Sequence, residues 1–135
     1  FTVHAAKDPD GANLDRIQII KGWVDANGET HEQIFDVAWS ENRQPVNGIL
    51  PLVGNTVNLA TAKFTNTIGA AVLMGSWTDE KFNPEQHAFY YARVLEIPTP
   101  RWTTYDAKFF KVKLPEGCPT TIQDRAYTIP IWYTP

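Results

Sequence analysis

Residues 14–39 read LDRIQIIKGWVDANGETHEQIFDVAW, and this stretch decides the fold. Leu14–Asp25 is rich in Ile, Val and Trp, and the chain returns through Glu32–Trp39. Between the two lies Asn27-Gly28, a dipeptide typical of tight hairpin turns. Side chains alternate along a strand, so the return strand is predicted to place Phe35, Val37 and Trp39 on one face. We therefore predict a long antiparallel hairpin with one face in a core.

The rest of the chain carries further strand patterns separated by turn signals. The predicted strands are Phe1–Ala6, Thr56–Thr65, Ile68–Trp77, His87–Ile97 and a last one ending at Pro130–Tyr133. Trp102–Val112 is compatible with one or two helical turns or with a strand after a bend. No helix of ordinary length separates the strands, which argues against a parallel sheet. We predict a single all-β domain over residues 1–135, an antiparallel β-sandwich of about six to eight strands with one short helical turn or less.

Composition excludes several classes of protein. The chain has 135 residues, 43% of them hydrophobic, which is typical of one globular domain. Its net charge of −3 gives no broad attraction to nucleic acid, and no apolar run is long enough to span a membrane. Cys118 is the single cysteine, so no internal disulfide can form. These features are compatible with a cytoplasmic protein and with an exported one.

No metal-binding or catalytic motif stands out. The three histidines are widely spaced and form no HExxH or similar pattern. Asp8, Asp10 and Asn13 faintly resemble a calcium loop, but the spacing of an EF-hand is missing, and we interpret them as a polar turn. No G-x-S-x-G elbow or phosphate-binding loop occurs. The sequence therefore gives no catalytic residue, no metal ligand and no cofactor within these residues.

Two glycines interrupt the apolar segment Ile68–Trp77. Glycine weakens the interior of a strand, and its presence there indicates a bulge or a close approach of another backbone. We predict one of these at both Gly69 and Gly75.

The stretch Tyr90–Trp102 begins as an apolar strand, and this strand contains charged residues. Arg93 and Glu96 are three positions apart, so a strand places them on opposite faces and each needs its own partner. The partners considered for Glu96 are Arg101 and Arg125, and those for Arg93 are Asp36, Asp106 and Asp124. Three interpretations follow: an internal network of ion pairs and hydrogen bonds, which we prefer, an interface to an adjoining domain, or direct substrate contact. The candidate interface or ligand residues are Arg93, Glu96, Arg101 and Trp102.

The tryptophans can be interpreted in two ways. Trp23, Trp39, Trp77 and Trp132 lie in or at the ends of predicted strands with apolar neighbours on the same face. This favours packing in a core or an interface. A row of exposed aromatic residues would instead indicate a carbohydrate-binding module.

Three segments carry a family resemblance: residues 13–23 (NLDRIQIIKGW), 91–102 and 123–133 (QDRAYTIPIWY). Together they resemble the C-terminal part of a large bacterial family of unknown function. Its longer members look like metal-dependent hydrolases of the polymerase-and-histidinol-phosphatase (PHP) type. The resemblance implies that the metal ligands, and any divalent metal, belong to an N-terminal catalytic region outside these residues. The resemblance therefore assigns no catalytic or metal-binding residue to this chain, but it implies the role of a C-terminal appended domain.

The sequence thus leads to one expectation and two alternatives. The chain begins with Phe1 in a predicted strand, and we expect it to be a C-terminal piece of a longer protein. We expect an accessory, non-catalytic β-sandwich of a metal-dependent hydrolase, with its own N-terminal catalytic region as partner. The first alternative is an autonomous glycan- or small-ligand-binding module, and the second is a self-association domain.

Overall fold

The computed structural model describes residues 1–135 and contains nine strands and one short helix. Its antiparallel sheets have five, two and two strands in a sandwich-like arrangement, which confirms the predicted all-β class. The elements are β1 Thr2–Ala6, β2 Leu14–Val24, β3 Thr30–Trp39, β4 Val72–Ser76, β5 Ala88–Glu96, β6 Thr99–Pro100, α1 Trp102–Phe110, β7 Thr121–Ile122, β8 Arg125–Tyr127 and β9 Ile131–Tyr133. Helix α1 is longer than the single turn expected, and it is too short to cross a membrane.

Strands β2 and β3 form the predicted hairpin. Gly28 closes the turn at φ 82°, and the Asp25 carboxylate accepts the backbone N–H groups of Asn27 and Glu29. The register shifts once, so that Ile17 faces Ala38 while Gln18 faces Asp36. This bulge corrects one prediction. Trp39 lies opposite Arg16, and it no longer shares a face with Phe35.

The five-stranded sheet has the order β3-β2-β5-β8, with β9 pairing on the β8 side of β5. One face of this sheet, called here the inner face, packs on the β1–β4 pair. Gly75 of β4 allows this contact, because a Cβ there would lie 2.6 Å from the Val37 carbonyl oxygen. The predicted close approach at Gly75 is therefore confirmed. The core residues at this junction include Leu14, Ile17, Ile19, Leu73, Ala88 and Tyr90.

The strand predicted at Thr56–Thr65 is wrong, because this segment folds back on itself. Asn58 and Lys63 pair through their backbones, and the Thr56 hydroxyl both donates to the Thr65 carbonyl and accepts the Thr65 N–H. Ala62 at φ 48° completes the tight turn. Local side-chain hydrogen bonds of Thr and Asn thus replace ladder pairing.

The strand predicted at Ile68–Trp77 is shorter than expected, since only Val72–Ser76 forms a ladder. Gly69 has φ 80°, and a Cβ there would lie 2.7 Å from Asn13 Cβ and from Ile97 Cγ2. The predicted close approach at Gly69 is confirmed, and it accounts for the late start of the strand.

Candidate functional site

Arg93 lies half-buried on β5 and is held by an amide rather than by a carboxylate. Its Nε and Nη2 groups donate to Oε1 of Gln18 at 2.8 and 2.6 Å. Gln18 in turn donates from Nε2 to Oδ1 of Asp36 at 2.8 Å. Of the three acidic partners considered for Arg93, only Asp36 is reached, and only through Gln18. A side-chain amide can relay in this way because it offers both an acceptor and donors.

The network continues across β2 into the loop after β3. Arg16 bridges Asp36 Oδ2 at 3.3 Å and Asp15 Oδ2 at 3.1 Å. Arg43, from the loop, donates to the carbonyl oxygens of Ser40 at 3.0 Å and Pro51 at 2.9 Å. Arg93 therefore belongs to an internal network that fastens three strands and one loop, which for this residue corresponds to the first of the three interpretations.

Asp15 is the most deeply buried charge in this network, with 1% of the residue exposed. Its Oδ2 accepts from Arg16 and from Gln123 Nε2 at 3.0 Å. Oδ1 lies 2.7 Å from Arg43 Nη2, but that group is aligned with the Asp15 carbonyl oxygen, so Oδ1 has a charge contact and no aligned hydrogen bond. Gln123 also donates to the Glu96 carbonyl oxygen at 2.8 Å. Asp15 thus anchors the C-terminal segment to the sheet.

Glu96 forms no ion pair, so neither Arg101 nor Arg125, the two partners considered, is its partner. Burial raises the pKa of the Glu96 carboxyl above its ordinary value, and the negative charges of Asp124 and Asp8 raise it further. The environment of Glu96 therefore disfavours its ionised form.

Replacing Glu96 by glutamine is expected to stabilise the protein at neutral pH. A raised folded-state pKa means that the fold loses stability as pH rises above 4.5, the ordinary value, through the folded value. Glutamine carries no charge and removes this penalty, so the free energy of unfolding at neutral pH should rise by up to about 1 kcal/mol after solvent screening. Thermal unfolding between acid and neutral pH measures the effect. The control is Glu116→Gln, at an exposed position, which should leave the thermal unfolding unchanged at both pH values. If Glu96→Gln keeps the pH dependence of the unchanged protein, Glu96 does not lower its stability at neutral pH.

Arg101 and Trp102 lie at the start of α1. Arg101 is the N-cap residue, and its backbone N–H donates to the Thr120 carbonyl oxygen at 2.9 Å, while its side chain forms no ion pair. Trp102 is 65% exposed. The four candidate residues therefore do not share one environment. Arg93 is bound internally, whereas Trp102 faces solvent.

Helix α1 exposes an aromatic stripe, defined here as Trp102, Tyr105 and Phe109. These positions are i, i+3 and i+7, which lie on one face of a helix. The opposite side carries Thr104, which is buried and donates to the Thr120 carbonyl oxygen at 2.6 Å. The three stripe residues are 65%, 45% and 79% exposed. The helix is thus attached through a polar contact and presents its aromatic side outward.

A second group of charged residues lies on the inner face. Lys21 Nζ is 2.5 Å from Asp79 Oδ2, and both side chains are almost fully buried. The same oxygen accepts the Tyr90 hydroxyl at 2.7 Å, and Lys21 also donates to the Lys81 carbonyl oxygen at 3.2 Å. Lys21 further lies 5.1 Å from the centre of the Trp23 ring. These contacts hold the segment after β4 against the sheet.

The hydrogen bonds of this group shift two pKa values. Burial would raise the pKa of Asp79, but hydrogen bonds from Lys21, Tyr90 and the Lys81 backbone outweigh it, and the pKa is lowered. Burial and the neighbouring Asp79 carboxylate raise the pKa of the Tyr90 hydroxyl. Asp79 is therefore held ionised and Tyr90 is held protonated.

A cleft of about 730 Å³ opens beside the Lys21–Asp79 pair. Its sheet side is formed by inner-face residues of β2 and β3, and its other side by the chain between the end of β4 and β5. The lining side chains include three aromatic residues, Trp23, Phe35 and Trp77, and two amides, Gln33 and Gln86.

Sequence reasoning missed Lys21, Asp79 and the cleft. Lys21 did carry a signal, because it is a charged residue in an apolar strand on the same face as Ile19 and Trp23, and such a residue needs a partner. Its partner is 58 positions away, and nothing local identifies it.

The loop that faintly resembles a calcium site is organised around a lysine. Lys7 Nζ donates to the carbonyl oxygens of Asp8, Pro9 and Gly11 at 2.8 to 3.0 Å. Asn13 instead donates to the carbonyl oxygens of residues 66 and 68. No group of three or more His, Cys, Asp or Glu side chains is arranged to hold a metal ion.

The tryptophans differ in exposure. Trp23, Trp39 and Trp77 are half-buried, and Trp77 packs against Phe35 with ring centres 4.5 Å apart. Trp132 is 71% exposed, so the structure gives it no place in a core.

Comparisons with known proteins give one match. The family described as "Protein of unknown function (DUF3604)" matches residues 1–135. No curated protein and no solved structure matches the chain. The match covers every residue of the chain, so the chain belongs to the DUF3604 family of proteins of unknown function.

Proposed function

We propose that this chain is an accessory, non-catalytic β domain of a metal-dependent hydrolase of unknown substrate, and that it docks on the catalytic region through α1. The observation that carries this proposal is the aromatic stripe of Trp102, Tyr105 and Phe109. The hydrolase, its bacterial origin and its N-terminal catalytic region come from the resemblance of residues 13–23, 91–102 and 123–133 to proteins with a PHP-type region.

The amount of exposed apolar surface supports docking. The chain buries 13 hydrophobic residues and exposes 20 large hydrophobic ones. Single exposed apolar side chains are ordinary, but contiguous groups of them typically mark an interaction surface. The stripe is such a group, and Phe110 extends it, with its ring centre 5.0 Å from that of Phe109. Large aromatic residues are also the side chains that contribute most to binding energy at interfaces.

The charge around α1 indicates what kind of surface it meets. Residues 101–113 contain four basic residues and one acidic residue, whereas the whole chain has a net charge of −3. A basic rim around an aromatic stripe complements an acidic partner surface. We take the PHP-type catalytic region as the occupant of the stripe, because the resemblance implies it as the neighbour of this domain, and we expect its docking face to be acidic.

The charged strand supports a structural role for the sheet. Arg93 is engaged by Gln18, and Asp15 by two arginines and Gln123, so each of these charges holds strands or segments together. Metal-dependent turnover of phosphoester or amide substrates by residues 1–135 alone would contradict the non-catalytic assignment.

Docking predicts that the helix is protected in the intact protein. We expect backbone amides of residues 102–110 to exchange more slowly in the intact protein than in residues 1–135 alone. The double variant Trp102→Ser/Phe109→Ser should abolish that difference, because it removes the apolar contact area. Hydrogen exchange read by mass spectrometry measures both.

The matched control is Ile49→Ser/Leu52→Ser, which removes two exposed apolar side chains, 73% and 85% exposed, from a loop after β3. It should leave exchange of the helix unchanged. Equal exchange of residues 102–110 in the intact protein and in the isolated residues would overturn docking through α1. Protection that grows with protein concentration would instead assign the stripe to self-association.

A further inference from the structure

We propose that the cleft beside the Lys21–Asp79 pair binds an uncharged, polyhydroxylated ligand of the saccharide class. This site is independent of the docking helix. Its volume of about 730 Å³ falls in the range of protein pockets that hold one small molecule, roughly 300–1,000 Å³. Its aromatic residues, its accessible hydrogen-bonding groups and its balanced charge favour such a ligand.

The aromatic residues of the cleft supply apolar surface. Trp23 and Phe35 project from the inner face of β2 and β3, and Trp77, after the end of β4, packs directly against Phe35 with ring centres 4.5 Å apart. All three are half-buried, and the Trp23 ring also stacks on His31 with ring centres 5.1 Å apart. The part of each ring that stays exposed is an apolar surface of the kind that suits the C–H faces of sugar rings.

The polar side chains of the cleft suit a ligand rich in hydroxyl groups. The side-chain amides of Gln33 and Gln86 and the Thr78 hydroxyl line the cleft; Gln33 and Thr78 are exposed and Gln86 is half-buried. Each amide offers two donors and a carbonyl acceptor, which matches the mixed donor and acceptor character of a hydroxyl. The cleft thus offers both halves of the hydrogen bonds that a sugar makes.

The charged side chains of the cleft come in pairs of opposite sign, so the cleft has no net charge to attract an ionic ligand. Lys21 is bound by Asp79 and by the Lys81 carbonyl oxygen, so its ammonium group has no free charge for an anion. Glu80 and Lys81 at the rim carry opposite charges. A neutral ligand therefore fits the electrostatics better than a phosphate or a carboxylate.

The test is ligand-observed NMR and calorimetry on the intact protein with cellobiose, maltose and N,N′-diacetylchitobiose at millimolar concentrations. At least one of these disaccharides should bind. Gln33→Ala and Gln86→Ala should each weaken that binding by about three- to tenfold, the loss of one hydrogen-bonding group. The matched control Gln44→Ala alters an exposed glutamine outside the cleft and should leave the Kd unchanged.

Three results would overturn the proposal. They are no binding of any of the three disaccharides, binding with the same Kd in Gln33→Ala and Gln86→Ala as in the unchanged protein, and tighter binding of glucose 6-phosphate than of the disaccharides at the same residues. Variants in the aromatic stripe of α1 should not alter sugar binding, so the outcome for this cleft is separate from the outcome for docking.

Discussion

Replacing Asp79 by asparagine is expected to lower the free energy of unfolding by about 3 kcal/mol at neutral pH, because it leaves the buried Lys21 ammonium group without its counter-charge. The folded-state pKa of Asp79 is lowered, so its contribution is complete above the ordinary value of 3.8 and is lost as pH falls through the folded value. The difference between the two proteins should therefore shrink in acid. Urea unfolding at neutral and at acid pH measures it.

Two further variants make this prediction specific. Asp10→Asn, at an exposed carboxylate whose side chain forms no hydrogen bond, should not change stability. The double variant Lys21→Met/Asp79→Leu should be more stable than Asp79→Asn, since it leaves no unpaired buried charge. If Asp79→Asn unfolds at the same urea concentration as the unchanged protein, the Lys21–Asp79 pair is not a structural tie.

The hairpin could be predicted because all its information is local. The apolar strand over residues 14–25 and the Asn27-Gly28 turn fix its position, and the observed β2 and β3 match the prediction closely. The close approaches at Gly69 and Gly75 were also predictable, since a glycine within an apolar strand typically marks a bulge or a neighbouring backbone that leaves no room for a Cβ.

What failed depended on side chains that are distant in sequence or that compete with the backbone. The predicted strand at residues 56–65 failed because Thr56 and Thr65 bond to each other and close a loop that strand propensity does not register. The partner of Arg93 is 75 positions away and is an uncharged glutamine, whereas charge pairing suggested an acid. Composition and spacing along the chain could not reveal such a contact.

The stretch Tyr90–Trp102 therefore contains two parts that its sequence did not separate. Its first part is structural, because Arg93 completes a network that reaches Arg43 through Asp36 and Asp15. Beyond the short strand Thr99–Pro100, the chain turns into α1 and exposes Trp102. A rigid, internally paired sheet is a suitable support for the docking helix that we propose, since fixed elements hold a binding surface in one geometry.

Replacing Gly69 by alanine is expected to destabilise the protein by about 2–5 kcal/mol, from two causes that act together. Gly69 has φ 80°, a left-handed conformation that costs about 1–2 kcal/mol for a residue with a side chain. The new Cβ would also lie 2.7 Å from Asn13 Cβ and Ile97 Cγ2. Because Ile97 is fully buried, the overpacked core would have to shift to remove this clash. Thermal and urea unfolding measure the loss.

Gly28→Ala separates the two causes. Gly28 has nearly the same backbone angle, φ 82°, but a Cβ there would meet nothing within 4 Å. This variant should therefore lose only the conformational part, about 1–2 kcal/mol. The excess loss in Gly69→Ala then measures how tightly the segment before β4 is pressed against the junction of β2 and β5. Equal losses in the two variants would show that this junction yields to a methyl group, and would contradict the close packing that fixes where β4 begins.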